Sequence, residues 1–371
     1  MIVRDPIHGD INITDNLIIE LIQTKEFQRL RRIKQLGLSQ LVFPGAEHSR
    51  YTHSIGVYYL STVFINSIEN NCDYIFSDID KRCLNVAALL HDVGHGALSH
   101  TAEEMFDKSH EVFSAAIILS ESTEINAVLN KYMPDNIEDI NSIIEKKHKN
   151  KVLNELLSST IDIDRLDYLV RDSHNTGVVY GNIDVSRLSN CAQVFENHVV
   201  YSEKALNTLE DVICSRYQMF NQVYTVEKSL GYDCLIKALY DRCVHLFNTG
   251  HTFECDMRKL LPFIKDNVTI DDYLLLDDYS LMSIMNDFTF EEDTELRSYA
   301  KALTCALPFS NEENGTYKII FDGYEKASYS ESIKLLFGNE IKLLEDCSPI
   351  VKALKNEKIQ VKNMEFFIDE K

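Results

Sequence analysis

The chain has 371 residues, nine cysteines and a formal net charge of −21. That length holds one large core with an appendage, or two domains, without covalent staples. The charge argues against general affinity for nucleic acid or anionic membranes, both of which demand a basic footprint. The cysteines are odd in number and never closely paired, so they read as buried thiols in a reducing compartment. Met1 to Asp10 lacks the basic start and apolar stretch of a signal peptide, and no apolar run reaches membrane-spanning length; a cytoplasmic protein is expected.

Along the chain, apolar residues at helical spacing dominate the first 245 positions, as in Leu17 to Ile22, Leu84 to Leu90 and Leu153 to Leu157, and predict an almost wholly helical region. Breaks fall at Pro6-Ile7-His8-Gly9, between Gly37 and Gly45, at Gly94 to Gly96, at Met133 to Asn136 and at Gly177 to Gly181. Between Lys25 and Arg50, six basic residues face two acidic ones, a local balance of +4. Such a patch suits a small polyanion; the plainer alternative is a solvated helix face. After His251 helices continue from Leu260 to Leu307, and strands are expected at Tyr317–Phe321, Ile359–Val361 and Phe366–Ile368. The fold class is therefore mainly α, with a core over 1–250 and a C-terminal helical extension with a small mixed α/β tail over 251–371.

Of twelve histidines, six lie between His48 and His110. An apolar helix ending at Leu90 delivers His91 and Asp92 side by side to its C-terminus, where Gly94 and Gly96 open the backbone. Imidazole beside carboxylate suits a borderline divalent ion such as Mn²⁺, Fe²⁺, Ni²⁺ or Zn²⁺. Two ligands do not close a site, and His53 upstream with Asp164 downstream completes two imidazoles and two carboxylates, with room for water and a phosphoryl oxygen. Taken alone, each of these residues is more simply a core histidine or a solvated aspartate.

The order of these residues and their flanks resembles the HD-domain superfamily, and more closely its dNTP triphosphohydrolase branch. The matching stretches are Asp5 to Gly9, Phe27 to Gly37, Val42 to Ala46, Arg50 to Val57, His91 to His100 and Asp164 to Asp172, and the likeness runs from about residue 3 to residue 250. It implies an HD-domain helical core and metal-dependent hydrolysis of dNTPs to deoxynucleoside and tripolyphosphate, with a transition metal as cofactor, possible company from Mg²⁺, and roles in nucleotide-pool control or antiviral defence. Arg50, His95, His100 and Arg165 match the family's phosphate contacts. Gln35, Leu36, Tyr168 and Asp172 match its sugar pocket, with Gln35 and Asp172 at the 3′-hydroxyl, and Tyr224 matches a ring against C2′. Asp164, Tyr168 and Asp172 are spaced to share one helix face over about 12 Å.

His110 falls where the family keeps the acid that protonates the leaving 5′-oxygen, a task suited to an imidazole. Its partner is Glu103 or Glu104, where a close relative has Asp, and His95 stands beside it. Val226 replaces a histidine common in the family, and Gln23 replaces an acidic residue of a second, activating nucleotide site, for which Arg4, Gln28, Arg31 and Arg32 are the remaining candidates. A homo-oligomer, dimer or tetramer, is implied, as is a nucleotide activator. The fold alone leaves open an HD phosphohydrolase acting on a monophosphate, a cyclic nucleotide or an alarmone, or a nucleotide-sensing regulatory protein.

Overall fold

The computed structural model describes residues 1–107, 109–304, 308–309, 315–327, 329 and 331–369. Three helices frame the histidine-rich region: Arg50–Asn71, Asp78–Leu90 and Ile163–Thr176. The second starts at Ser77, whose hydroxyl accepts the Asp80 N–H, and carries Asp78 and Asp80 in its first turn, where the helix dipole favours anions. Its buried stripe includes Leu84, Ala87, Ala88 and Leu90, so its C-terminus is driven into the interior. The third is capped by Asp162, which accepts the Arg165 N–H at 2.6 Å, and ends at Gly177 with φ +77°.

The amino-terminal region is less uniformly helical than its periodicity predicts. Ile2–Asp5 and Gly9–Asn12 form an antiparallel hairpin around the expected break, closed by the Asp5 carboxylate accepting the Ile7 and His8 N–H groups. A second hairpin pairs Ala192–Phe195 with His198–Ser202 through Glu196 and Asn197, both at positive φ. Without glycine in the turn and with strands of four or five residues, this hairpin carries little of the alternation that marks strands in sequence.

The expected strands near the C-terminus are present as Tyr317–Phe321, Lys358–Val361 and Met364–Ile368. The helical run is seen through Leu303, while Cys305 and Leu307 lie outside the described residues. The eight described cysteines are free; Cys83, Cys191 and Cys243 are buried and the others partly exposed.

Two apolar cores meet around the segment that follows His91. The first runs from Ile11 to Val223 and is joined by Ile333, Leu335, Leu344 and Val351 of the tail. The second gathers Tyr232 to Leu303 with Ile319 and Phe366, and takes in Leu38, Ala97, Leu98, Met105 and Phe113. The tail also joins the first core by strand pairing: Lys334–Phe337 runs parallel to His198–Ser202, with Tyr201 opposite Leu335 and Ser202 opposite Leu336.

The segment from His91 to His100 is clamped by the C-terminal extension. Arg29 is fully buried and donates to the carbonyls of His95 at 2.7 Å and Leu276 at 2.9 Å. The Tyr273 hydroxyl donates to Gly94 O at 2.6 Å. The Asp278 carboxylate accepts the N–H of Leu98 at 2.7 Å and of Lys34 at 2.8 Å. Leu98 and Ser99 have φ of +61° and +56°, conformations that L-residues adopt only when their surroundings enforce them. The basic patch expected between Lys25 and Arg50 is therefore divided: Lys25, Arg31 and Arg32 are exposed, while two of its members are withdrawn from the surface. Arg29 and Arg50 are interior residues, because their guanidinium groups satisfy buried carbonyls and a buried carboxylate.

Asp278→Ala leaves two backbone N–H groups without acceptors beside a strained loop. The expected loss is about 2–3 kcal/mol in chemical denaturation, with faster amide exchange across residues 94–99. Unchanged exchange there would refute the clamp.

Candidate active site

Three helices bring the proposed ligands together. His53 Nε2 lies 3.1 Å and His91 Nε2 3.5 Å from Asp164 Oδ1. Ligand atoms of these three residues all fall within 4.8 Å of one another. Asp92 adjoins them, with one oxygen 3.3 Å from His91 Nε2 and the other 3.6 Å from His53 Nε2.

The hydrogen bonds fix both tautomers. His53 Nδ1 donates to Asp167 at 2.8 Å and His91 Nδ1 donates to the Ala88 carbonyl at 2.9 Å, both acceptor-only groups. Each Nε2 is therefore the nitrogen left to offer a lone pair to a cation in the cluster, and both are buried without a hydrogen bond. Two orphaned imidazole nitrogens converging on carboxylates fit a divalent transition metal, and the nitrogen–oxygen donor set is poorly matched to Mg²⁺ alone. Burial opposes ionisation of Asp92, but the Arg50 guanidinium with His91 and His95 overcomes it and holds the carboxyl well below its ordinary range. Burial likewise opposes charge on His53, yet the neighbouring Asp164, Asp167 and Asp92 carboxylates prevail and push it up to about 10, so that without a metal a proton takes the place at Nε2 that a bound cation would fill. The site is thus strongly cation-seeking.

Behind His53 stands a network that the sequence reading did not assign. Asp167, wholly buried, accepts from His53, from His8 Nε2 at 2.7 Å, and from Arg171 Nε and Nη2 at 2.8 and 2.9 Å. Arg171 Nη1 in turn donates to Asp5 at 2.8 Å. A Cβ on Gly56 would sit 2.0 Å from the Asp167 carboxylate and 2.4 Å from Arg171, so glycine is needed on the facing helix. The signal available was the Asp5 to Gly9 stretch, which matched the family without a role.

A second group lies beyond Asp92. His110 Nδ1 hydrogen-bonds Glu103, and the His95 ring stacks on His110 with centroids 3.8 Å apart. His95 Nε2 is 3.4 Å from Asp92, and the exposed His100 approaches Glu103 at 3.4 Å. Glu104 is exposed and makes no such contact, so Glu103 is the partner of His110. Burial opposes ionisation of Glu103, but His100 and His110 outweigh it and keep the carboxyl well below its usual range.

The remaining expected positions lie along the face of Ile163–Thr176. The Tyr168 ring is 6.5 Å from His53 and 6.4 Å from Tyr224, and the Tyr224 hydroxyl donates to Asp172 at 2.8 Å. Tyr224 is carried there by a π-helical turn, Phe220–Tyr224. His48, unassigned by sequence, contacts the other Asp172 oxygen at 2.8 Å. The Gln35 N–H donates to the His48 carbonyl at 3.0 Å beside the Lys34–Ser49 bridge, so the two opposed side chains share a side. Gln35 Oε1 and His48 Nδ1 are buried without partners, which leaves acceptor or donor capacity for a ligand. Leu36 is half-buried against the first core.

Arg50 and Arg165 are partly committed within the protein. Arg50 pairs with Asp92 and donates to Ser99 Oγ at 2.8 Å. Arg165 donates to Ser159 O at 2.7 Å and reaches the Tyr168 hydroxyl at 3.4 Å. The candidate activator residues have partners within the chain: Arg4 with Asp10, Gln28 with Arg31 and the Ile22 carbonyl, Arg31 over the Tyr51 ring, and Arg32 with Asp277 of the C-terminal extension.

Residues 50–172 match the family described as HD domain. The Bacillus subtilis protein YwfO, called uncharacterized, is 36% identical over 341 residues, 90% of this chain and 78% of that protein. The human deoxynucleoside triphosphate triphosphohydrolase SAMHD1 is 32% identical over 260 residues, 60% of this chain but only 41% of that protein. The crystal structure of a phosphohydrolase from Bacteroides thetaiotaomicron is similar with a TM-score of 0.87 and 26% identity, covering 100% of this chain and 99% of that one.

Asp167→Ala removes the acceptor that orients His53 and leaves Arg171 buried with Asp5 alone. Metal affinity, measured by competition with a chelating dye, is expected to fall about 10- to 100-fold. His53→Ala or a His91/Asp92 double substitution should abolish stoichiometric metal. Full metal content in the Asp167 variant, at wild-type affinity, would remove the orienting role.

Proposed function

We propose that this chain, a member of the HD-domain family of phosphohydrolases with a His/Asp cluster that could hold a divalent metal, hydrolyses deoxynucleoside triphosphates to deoxynucleoside and tripolyphosphate. The observation that carries this reading is the face of Ile163–Thr176, where Asp164 at the metal centre is followed by Tyr168 and by Asp172 beneath the Tyr224 hydroxyl. A metal ligand, an aromatic wall and a hydrogen-bonding carboxylate in successive turns suit an α-phosphate joined to a sugar. The likeness to proteins called deoxynucleoside triphosphate triphosphohydrolase supports the same substrate.

In this reading His53, His91, Asp92 and Asp164 would hold a divalent ion of the Mn²⁺, Fe²⁺, Ni²⁺ or Zn²⁺ type, which would supply Lewis acidity to the phosphoryl group and to water. Arg50 holds Asp92 in place and keeps one guanidinium nitrogen for phosphate oxygen. His110, tied through Nδ1 to Glu103, has Nε2 available to protonate the 5′-oxygen as its bond to phosphorus breaks. The ionised Glu103 stabilises the imidazolium needed for that donation. Water adds to phosphorus, the deoxynucleoside leaves with the proton, and the three phosphates depart together. Tyr224 packs where a ribose 2′-hydroxyl would need space and a partner.

A homo-oligomer with an activating nucleotide at Arg4, Gln28, Arg31 and Arg32 belongs to the same proposal. A strictly monomeric enzyme with hyperbolic kinetics for every single dNTP and every mixture would count against that part.

Metal-reconstituted protein given the four dNTPs, singly and mixed, should release tripolyphosphate as first product; pyrophosphate or orthophosphate first would overturn the reading. His110→Ala should lower kcat by about 10²- to 10⁴-fold without loss of metal. Tyr224→Ala should narrow the dNTP/rNTP ratio of kcat/KM, from a wall effect of about 10²-fold, mainly by improving ribonucleotide turnover. An unchanged ratio in a destabilised variant would make Tyr224 a packing residue.

A further inference from the structure

The helix His110–Leu119 carries the proposed acid as its first residue and a serine one turn later. Ser114 is fully buried. Its hydroxyl accepts the Gly94 N–H at 3.0 Å and donates to the His91 carbonyl at 3.0 Å, so both of its capacities are taken by the loop that bears the proposed ligands His91 and Asp92. A serine inside a helix ordinarily bonds back to the carbonyl four residues before it, and alanine would favour the helix more. Ser114 directs its proton to another segment instead.

The joint between helix and loop is close on both sides of this hydroxyl. A Cβ on Gly94 would overlap the backbone nitrogen of Ser114 and the carbonyl oxygen of His110, so the first turn of the helix rests directly on the loop backbone. The Gly94 carbonyl accepts from Tyr273, whose ring stacks on Phe113 with centroids 3.5 Å apart and planes 9° apart. Gly94 is therefore held through its N–H by Ser114 and through its carbonyl by a ring that packs on the residue before Ser114. Among the described residues, Ser114 supplies the hydrogen bonds between this helix and residues 91–96. Stacking and apolar contact resist separation, but they are not directional as a hydrogen bond is.

We propose that Ser114 is a positioning residue: by tying its helix to His91 and Gly94, it sets where the His110 ring stands relative to the metal centre. The inference rests on the reading of His110 as the acid at the leaving oxygen. A general acid must stand within hydrogen-bond reach of the atom it protonates, and a misplacement of about 1 Å costs about 10²-fold in rate. Without the hydroxyl, the Gly94 N–H and the His91 carbonyl lose this partner, and the helix that begins at His110 can slide on the loop.

The test compares Ser114→Ala, Ser114→Thr and Ile117→Val in the full-length protein loaded with Co²⁺. Ile117 is buried on the same helix, so its truncation is the control for plain loss of packing. The ring protons of His110 should carry a paramagnetic shift that reports their place relative to the ion. Ser114→Ala should change that shift and lower kcat about tenfold, with KM and bound Co²⁺ unchanged. Ser114→Thr should restore both readouts, and Ile117→Val should leave both at wild-type values. The kinetic loss should also depend on the leaving group. A dNTP analogue with sulfur as the bridging 5′ atom departs as a thiolate that needs little proton donation, so Ser114→Ala should turn it over at nearly the wild-type rate. An unmoved His110 shift in Ser114→Ala overturns the inference, as does an equal change in Ile117→Val or an equal kcat loss on the oxygen and sulfur substrates. The reading of His110 fails separately. If His110→Ala loses both substrates alike, or the wild-type protein turns over no dNTP, the acid role falls, while the His110 shift still decides whether Ser114 positions the ring.

Discussion

A carboxylate removed entirely from water must be surrounded by donors, and Asp167 meets that demand with three partners from three parts of the chain. Arg171 comes from its own helix, His53 from the long helix opposite, and His8 from the amino-terminal hairpin. The arrangement joins those elements because any one withdrawn leaves a buried charge short of a hydrogen bond. It also sets the chemistry. An ionised Asp167 can only accept, so His53 carries its proton on Nδ1 and offers Nε2 to the cluster. The metal centre depends on this tautomer, and the tautomer depends on a hairpin more than forty residues upstream of His53.

The loop from His91 to His100 is held differently. Its backbone passes through two left-handed, non-glycine residues, Leu98 and Ser99, at a cost of about 1–3 kcal/mol each. Hydrogen bonds from Arg29 and Tyr273, and to Asp278, oppose that cost, and two apolar cores close around it. The outcome is that Asp92, His95 and Ser99 all turn toward Arg50 and the second histidine group. Rigidity at the site thus originates largely outside the segment that carries its name-giving residues.

The grouping of these side chains was legible because His91 and Asp92 are adjacent, and because Asp164, Tyr168 and Asp172 repeat at helical spacing. Those are local patterns that survive in a linear string. His48 and Asp167 were not legible, since their importance comes from partners 124 and 114 residues away. Arg29 was misread for a related reason: a cation in a basic run suggests solvent, and nothing local tells that its acceptors are carbonyls near residue 276. The hairpin at Glu196 and Asn197 escaped because its turn lacks glycine.

The parallel pairing of Lys334–Phe337 with His198–Ser202 has a consequence for the order of events during synthesis. A strand made more than 130 residues after its neighbour joins a sheet already begun, and such distant pairings form late. A nascent chain that has emerged only to residue 250 contains every HD-motif residue yet lacks Asp278, Tyr273 and the tail strands. Its histidine loop would have the sequence for chemistry without the contacts that impose its shape. Shaping of the site is therefore tied to the arrival of the C-terminal extension rather than to the appearance of the motif.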